Sequence, residues 1–466
     1  MTTDRPLLGV AEPVEVASAA LPLDGRRRAI QPADVSGRFH RVRRPILAAL
    51  ILFWATLPWL RIGGRPALFC DVDGRELFLV GMTFNAQDTW LLFFLLTGLG
   101  FALVYTTAVV GRVWCGWACP HTVFLEGIFR PIERWVEGPR ETRIRRNIGP
   151  WTAQKIARKV ASHALYAVSA VLVAHIFLSY FVSLPATFRM VRERPADHPE
   201  AFTWVLAMST VFYLHFAWFR EQLCVVLCPY GRLQSAMLDE HSLVVGYDTR
   251  RGEPRGKAAA DGAGDCVDCK RCVVVCPTGI DIRNGTQMEC VACTACIDAC
   301  DTIMDRLGRP RGLIRYDSQE GLLGRKRKIV RPRVLLYTAL LVLGAVVALV
   351  AMLGRRDFEA NLLRLPGEPF AIDDAEIREG IQLHLVNKRA SVETYRVEVE
   401  PVSGLSAVVA IPSPQVAALS DARVPVFLSA RKDQFRGEFP FRIRIARIAD
   451  PAKAVYVTGT FLGPSR

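Results

Sequence analysis

The chain has 466 residues, a formal net charge of +14 and 13 cysteines. That length allows several domains, and a mean hydropathy of +0.21 is too high for an ordinary water-soluble protein. The basic excess would suit nucleic acid or an acidic partner, but membrane topology accounts for most of it, so nucleic acid is not expected as a partner.

Residues 1–44 are polar, contain Pro and Arg, and show no apolar periodicity, so they read as a flexible cytoplasmic tail. They lack the apolar core and cleavage site of a secretory signal. Five stretches are apolar and long enough to cross a bilayer of about 30 Å as helices: Ile46–Ile62, Trp90–Val110, Ala164–Leu184, Phe202–Phe219 and Val334–Leu353. Lys plus Arg number 8 before the first span, 10 in 111–159 and 19 in 220–333, against 3 in each of 61–89 and 185–201. By the positive-inside rule the amino terminus and the segment between the fourth and fifth spans are cytoplasmic, while the tail after Leu353 is outside. The run Arg325–Lys328 beside the fifth span reads as a contact for anionic lipid heads, with docking of an acidic electron donor as the alternative.

Within the membrane domain, assigned to 45–230, four cysteines form two copies of one motif. Cys115-x3-Cys119-Pro120 follows the second span and Cys224-x3-Cys228-Pro229 follows the fourth, which suggests an internal repeat of two-span units. Cysteines four apart share a helical face with Cβ atoms about 5–6 Å apart, too far for a relaxed disulfide but suited to a soft metal. If the repeats pack together, four thiols converge in a redox or copper-binding role; packing as small buried hydrophobes is the plain alternative. His121 could add a ligand or serve as a cap. His163, His175 and His215 lie in or beside the third and fourth spans, where haem ligation or proton carriage would be their functional readings, and no pairing among them is evident. Cys70, near Asp71 and Asp73 in the first outward loop, reads as an isolated thiol.

The segment 231–332 carries Cys266-x2-Cys269-x2-Cys272-x3-Cys276-Pro277 and Cys290-x2-Cys293-x2-Cys296-x3-Cys300. This is the spacing of a two-cluster bacterial ferredoxin, in which the last cysteine of each run serves the other cluster. Cys266, Cys269, Cys272 and Cys300 then hold one 4Fe-4S cluster, and Cys290, Cys293, Cys296 and Cys276 the second. A zinc ribbon would need only two Cys-x2-Cys pairs, and disulfides are seldom kept in a reducing cytoplasm. Asp301 stands where a simple ferredoxin could place a second proline. After the fifth span, 333–353, the segment 354–466 shows short alternating runs at Thr394–Val399, Arg423–Leu428, Phe439–Ile445 and Ala454–Phe461. Pro and Gly punctuate them, as in an antiparallel immunoglobulin-like sandwich. The expected fold class is therefore an α-helical polytopic membrane protein with an inserted two-cluster (8Fe) ferredoxin domain and a C-terminal all-β sandwich.

The stretches GRVWCGWACPHTVFLEGIFRPIERW, REQLCVVLCPYGRLQSAMLDE, YDTRRGEPRG, CVDCKRCVVVCPTGIDIRNGTQMECVACTACIDACD and RLGRPRGLIRY resemble the FixG/CcoG (RdxA-type) family of cytochrome c oxidase accessory proteins over nearly the whole chain. His121 stands where that family is expected to have glutamine, whereas Asp301 is usual there. The resemblance implies a bacterial inner-membrane protein that assists assembly of cbb3-type oxidase with copper-transporting proteins, with reduction of Cu(II) to Cu(I) as the activity. An unknown cytoplasmic donor would feed the clusters, and copper would be held near Cys115, Cys119, Cys224 and Cys228. The alternatives are a quinol-dehydrogenase-like electron-transfer subunit, which shares the Cys-x3-Cys-Pro motif, and an assembly scaffold with redox-sensing clusters. Oligomeric state is left open, and no nucleotide or flavin motif is evident.

Overall fold

A computed structural model describes residues 30–464, apart from 63, 73–75, 86–88, 257–261, 355, 366–367, 374, 390 and 419. Most of the segment read as a tail, and Asp73, lie outside those residues. The chain forms two compact units, Met1–Ala348 and Leu349–Arg466.

Five helices in the described residues are long and apolar enough to cross a membrane, spanning Arg38–Trp59, Trp90–Val110, Ala153–Leu178, Pro199–Phe219 and Pro332–Leu353. Their large side chains point outward, with Phe93, Leu96, Leu172, Leu206 and Leu343 all about half exposed or more, as lipid contact requires. Two spans begin eight or more residues earlier than hydropathy suggested. Helix α1 (Arg38–Thr56) starts eight residues before Ile46, so Arg38–Arg44 belong to a helix, not to a tail. Its first turn is capped from afar, as the Asp298 carboxylate accepts the Phe39 N–H at 3.1 Å and the His40 N–H at 2.7 Å and satisfies donors that a helix start leaves open. Gly37 makes room for this, since a Cβ there would lie 2.2 Å from Asp298 Cγ. Helix α2 (Ala153–Leu178) starts eleven residues before Ala164 because the Thr152 side chain accepts the Lys155 N–H and nucleates a polar first turn. The fourth span runs as α-helix over Pro199–Tyr213 and widens to a π-helix over Leu214–Phe219.

Between the spans, a buried carboxylate gathers two arginines: Glu133 Oε2 lies 2.9 Å from Arg143 and 2.9 Å from Arg220. Those charges hold the Glu133 carboxyl below its usual range against the opposing effect of burial. Phe129 stacks on Phe216 with ring centroids 4.7 Å apart, so the helices following the first Cys-x3-Cys-Pro motif pack on the fourth span. The ferredoxin segment is built from a two-stranded pair, Val244–Tyr247 against Ile314–Asp317, and helix α3 (Ala295–Arg306). Its core includes Val245, Ile280, Ile297, Met304, Leu313 and Ile314.

The second unit is a pair of antiparallel sheets. One orders Leu405–Val409, Asp421–Arg431, Glu376–Asn387 and Phe358–Arg364, and Ala371–Ile372 also pairs with the third of these. The other orders Gln415–Val416, Glu393–Val399, Phe439–Arg447 and Asp450–Phe461. Period-two alternation sends Leu383, Leu385, Val424, Val426, Ile443 and Ile445 inward, and the strands agree with the expected runs to within a few residues. Fully buried Asn387 ties the sheets' ends: its Nδ2 donates to the Ser391 and Ala417 carbonyls at 2.8 and 2.9 Å, and its Oδ1 accepts from Tyr395 at 3.1 Å. Asn387→Leu should leave these partners unsatisfied and cost about 2–4 kcal/mol. Hydrogen exchange on the full chain should then show lost protection across the strands of 358–461, and unchanged protection there would contradict the role given to Asn387.

Candidate functional site

The two ferredoxin runs adopt the same local backbone. Asp268 and Lys270 flank Cys269 with φ of 48° and 53°, and Ala292 and Thr294 flank Cys293 with φ of 53° and 66°. Left-handed non-glycine residues in matched positions are costly and mark a turn imposed for function. After each turn a helix begins, Arg271–Val274 or Ala295–Arg306, carrying Cys272 or Cys296. The consequence is two separate cavities. Cys266, Cys269, Cys272 and Cys300 line one together with Tyr247, Met304 and Leu313. Cys276, Cys290, Cys293 and Cys296 line another together with Val245, Ile280 and Val291, and Cys272 forms part of its wall.

The donor set fits iron–sulfur cubes better than zinc. Cysteines spread around a cavity suit one thiolate per iron corner. Burial pushes the Cys290 thiol up to about 11 and the Cys293 and Cys300 thiols up to about 12, so metal binding must displace protons from them.

Cations stand beside both cavities: Lys270, Arg271 and Arg283 line the first, and Arg112 and Arg43 lie near Cys290 and Cys293 of the second. Arg283 donates to Asp281 and Asp268, so its charge near Cys272 is compensated. Arg43 lies near Cys293, where its charge opposes the rise from burial. Its Nε donates to the Gly116 carbonyl at 2.8 Å, and its buried Nη2 has no hydrogen-bond partner among the described residues.

The Cys-x3-Cys-Pro pairs do not lie on continuous helices, contrary to expectation. Cys115 sits in the short helix Val113–Trp117, but Cys119 has φ −59° and ψ 126° and precedes a new helix, Pro120–Phe124. Cys224 sits in the π-helical turn Leu223–Leu227, and Cys228 is extended, with φ −68° and ψ 108°, before the helix Pro229–Met237. Proline is the reason, because it drives the preceding residue out of the helical region and suits the first position of the next helix. The repeats nonetheless bring the four thiols into one neighbourhood, where Cys224 feels Cys119, Cys115 and Cys228. Burial, then those neighbours, pushes Cys224 up to about 12, and Cys115 rises to about 11 chiefly by burial. Cys115 and Cys224 pack in one cluster with Val291 and Cys293 of the ferredoxin segment. Gly116 permits this approach, since a Cβ there would meet the Val291 carbonyl oxygen at 2.6 Å and that of Ala292 at 2.8 Å.

Several contributors escaped the sequence reading. Gln234 is fully buried and joins the repeats: its Oε1 accepts from Cys115 Sγ and Arg112 Nε, each at 3.1 Å, and its Nε2 donates to Thr107 at 3.0 Å. His121 Nδ1 and His215 Nε2 lie 2.9 Å apart, a pairing across the repeats that sequence did not reveal. Burial, with the nearby His215 and Arg130, drives the His121 pKa down to about 3, so that ring is neutral and one imidazole donates to the other. His163 meets the Tyr213 hydroxyl at 2.8 Å, and His175 bonds the Val171 carbonyl of its own helix at 2.8 Å. Cys70 is half-buried in the three-stranded sheet before the second span, where its N–H donates to the Tyr180 carbonyl at 2.8 Å.

Comparison with known families gives these cavities a chemistry. Residues 219–319 match the 4Fe-4S dicluster domain, residues 91–139 match a 4Fe-4S binding domain, and residues 348–464 match the IG-like fold at the C-terminus of FixG. Nitrogen fixation protein FixG of Rhizobium meliloti is 35% identical over 434 residues, covering 84% of this chain and 82% of that protein. Protein RdxA of Cereibacter sphaeroides is 35% identical over 399 residues, 82% of this chain and 85% of its own length. Protein RdxB of the same organism is 34% identical over 404 residues, with 82% and 84% covered. Iron–sulfur domains, apolar helices and a C-terminal IG-like domain in one polypeptide describe an electron-transfer protein, and identity at this level along most of the sequence shows that the chain belongs to the FixG/RdxA family.

Proposed function

We propose that this protein carries single electrons from a cytoplasmic reductant to the four Cys-x3-Cys-Pro thiols, where Cu(II) is reduced to Cu(I) for delivery to a cbb3-type oxidase under assembly. The observation that carries the reading is the packing of Cys115 and Cys224 against Val291 and Cys293. Cys266, Cys269, Cys272 and Cys300 would hold one 4Fe-4S cluster, and Cys276, Cys290, Cys293 and Cys296 the other. When bound, these groups supply one-electron transfer. Exposed Cys269 marks the cytoplasmic entry side, in line with the basic bias of the segment. Soft thiolates then favour Cu(I) over Cu(II) and drive the reduction. The Arg43 charge beside Cys293 favours reduction of the cluster on the membrane side.

A second reading concerns the same thiols. The 4Fe-4S binding model covers residues 91–139, where Cys115 and Cys119 are the cysteines present, and this favours a third cluster shared between the repeats. Iron analysis separates the two: about eight irons per chain fit two clusters and about twelve fit three.

Three outcomes are expected. Anaerobically purified full-length protein should reduce Cu(II) at least tenfold faster than a Cys115→Ser/Cys224→Ser double variant whose cluster EPR signals are intact; equal rates would refute copper reduction at these thiols. In a potentiometric EPR titration, Arg43→Gln should lower the midpoint of one cluster and leave the other in place, while Arg43→Lys restores it. Gly116→Ala should force the thiol loop off the Val291–Ala292 backbone at a cost of about 1–3 kcal/mol, read as a lower temperature for loss of cluster absorbance together with slower copper reduction.

A further inference from the structure

A further cavity lies beside the cysteine cavities. It holds about 630 Å³ between the start of helix α1, the helices after the first thiol motif and the ferredoxin segment, and its wall includes Cys293. Five arginines line it, Arg43, Arg44, Arg130, Arg134 and Arg143, against three carboxylates. Those carboxylates are already committed. Asp34 pairs with Arg134 at 3.2 Å, Glu126 with Arg130, and Asp298 with two backbone N–H groups of α1. Arg143 is held by Glu133 at 2.9 Å.

Two cations are left over. Arg43 is only 7% exposed, and its Nη2 has no partner; Arg44 is exposed, and no hydrogen bond or ion pair engages it among the described residues. A buried guanidinium edge without a partner costs several kcal/mol unless an anion completes it. Guanidinium groups are shaped for the paired oxygens of phosphate.

We propose that this cavity is a phosphate-binding site, filled by an anionic phospholipid headgroup or by free phosphate, and that its occupancy sets the ease of reduction at the Cys276, Cys290, Cys293 and Cys296 cavity. The second half rests on the electron-transfer reading above. A bound phosphate offsets the Arg43 charge that Cys293 feels, so occupancy acts in the same direction as loss of that charge.

The test uses full-length, cluster-loaded protein in nanodiscs. With zwitterionic lipid, added inorganic phosphate should broaden its phosphorus NMR line saturably and shift one cluster's EPR midpoint to more negative potential. Arg44→Gln, at an exposed position that leaves folding intact, should weaken phosphate binding at least fivefold, and Arg43→Gln should abolish the midpoint shift. If phosphatidylglycerol nanodiscs alone produce the shift and added phosphate then does nothing more, the headgroup is the source; a shift with phosphate in zwitterionic discs identifies free phosphate. Neither anion binding nor any midpoint shift, or equal binding by wild type and Arg44→Gln, overturns the proposal. Phosphorus line broadening reads the site whether or not clusters are present, so a failed electron-transfer reading would leave that arm intact.

Discussion

Everything in the first unit depends on one close contact: the loop carrying Cys115 lies on the backbone that carries Cys290 and Cys293, with the side-chain-free Gly116 between them. The same junction is fastened from the other side by Asp298, which takes the open N–H groups of helix α1. Phe39, the second residue of that helix, sets its ring edge-on against Trp117 and Tyr316. The membrane helix, the thiol loop and the ferredoxin segment therefore hold one another.

The legible and the illegible parts of this chain divide by the range of the interactions involved. Spans, thiol spacing and strand alternation are local patterns, and each was readable because its physical cause repeats within a few residues. The helix starts were misjudged where the cause is distant or polar: Arg38–Arg44 look like a tail until Asp298, some 260 positions away, caps them. The helical pairing of Cys115 with Cys119 failed for a local reason that was in plain view, since Pro120 and Pro229 forbid the continuous helix that a four-residue spacing suggests.

Gln234, Arg43 and the His121–His215 pair belong to a third class. Nothing in their neighbourhoods marks them, because glutamine, arginine and histidine at a membrane edge usually meet water or lipid heads. Their roles arise only when the two repeats close, bringing Thr107, Arg112 and Cys115 to one buried amide. The repeat itself was visible in the duplicated motif, but duplication says nothing about which polar residues fill the seam.

The seam also explains why charge, more than ligation, distinguishes the two cysteine cavities. Their backbones are near copies, with left-handed residues at matching positions, so the fold supplies equal frames. The surroundings break that equality. Arg283 arises within the ferredoxin segment and comes with its own aspartates, whereas Arg43 is contributed by the membrane helix and arrives without one. Docking of the ferredoxin segment onto helix α1 thus places a positive charge beside the cavity nearest the thiols, while Lys270 and Arg271 line the other. In a low-dielectric interior such a charge acts strongly over short range, so the electrostatics around Cys293 follow from how two parts of the chain are joined.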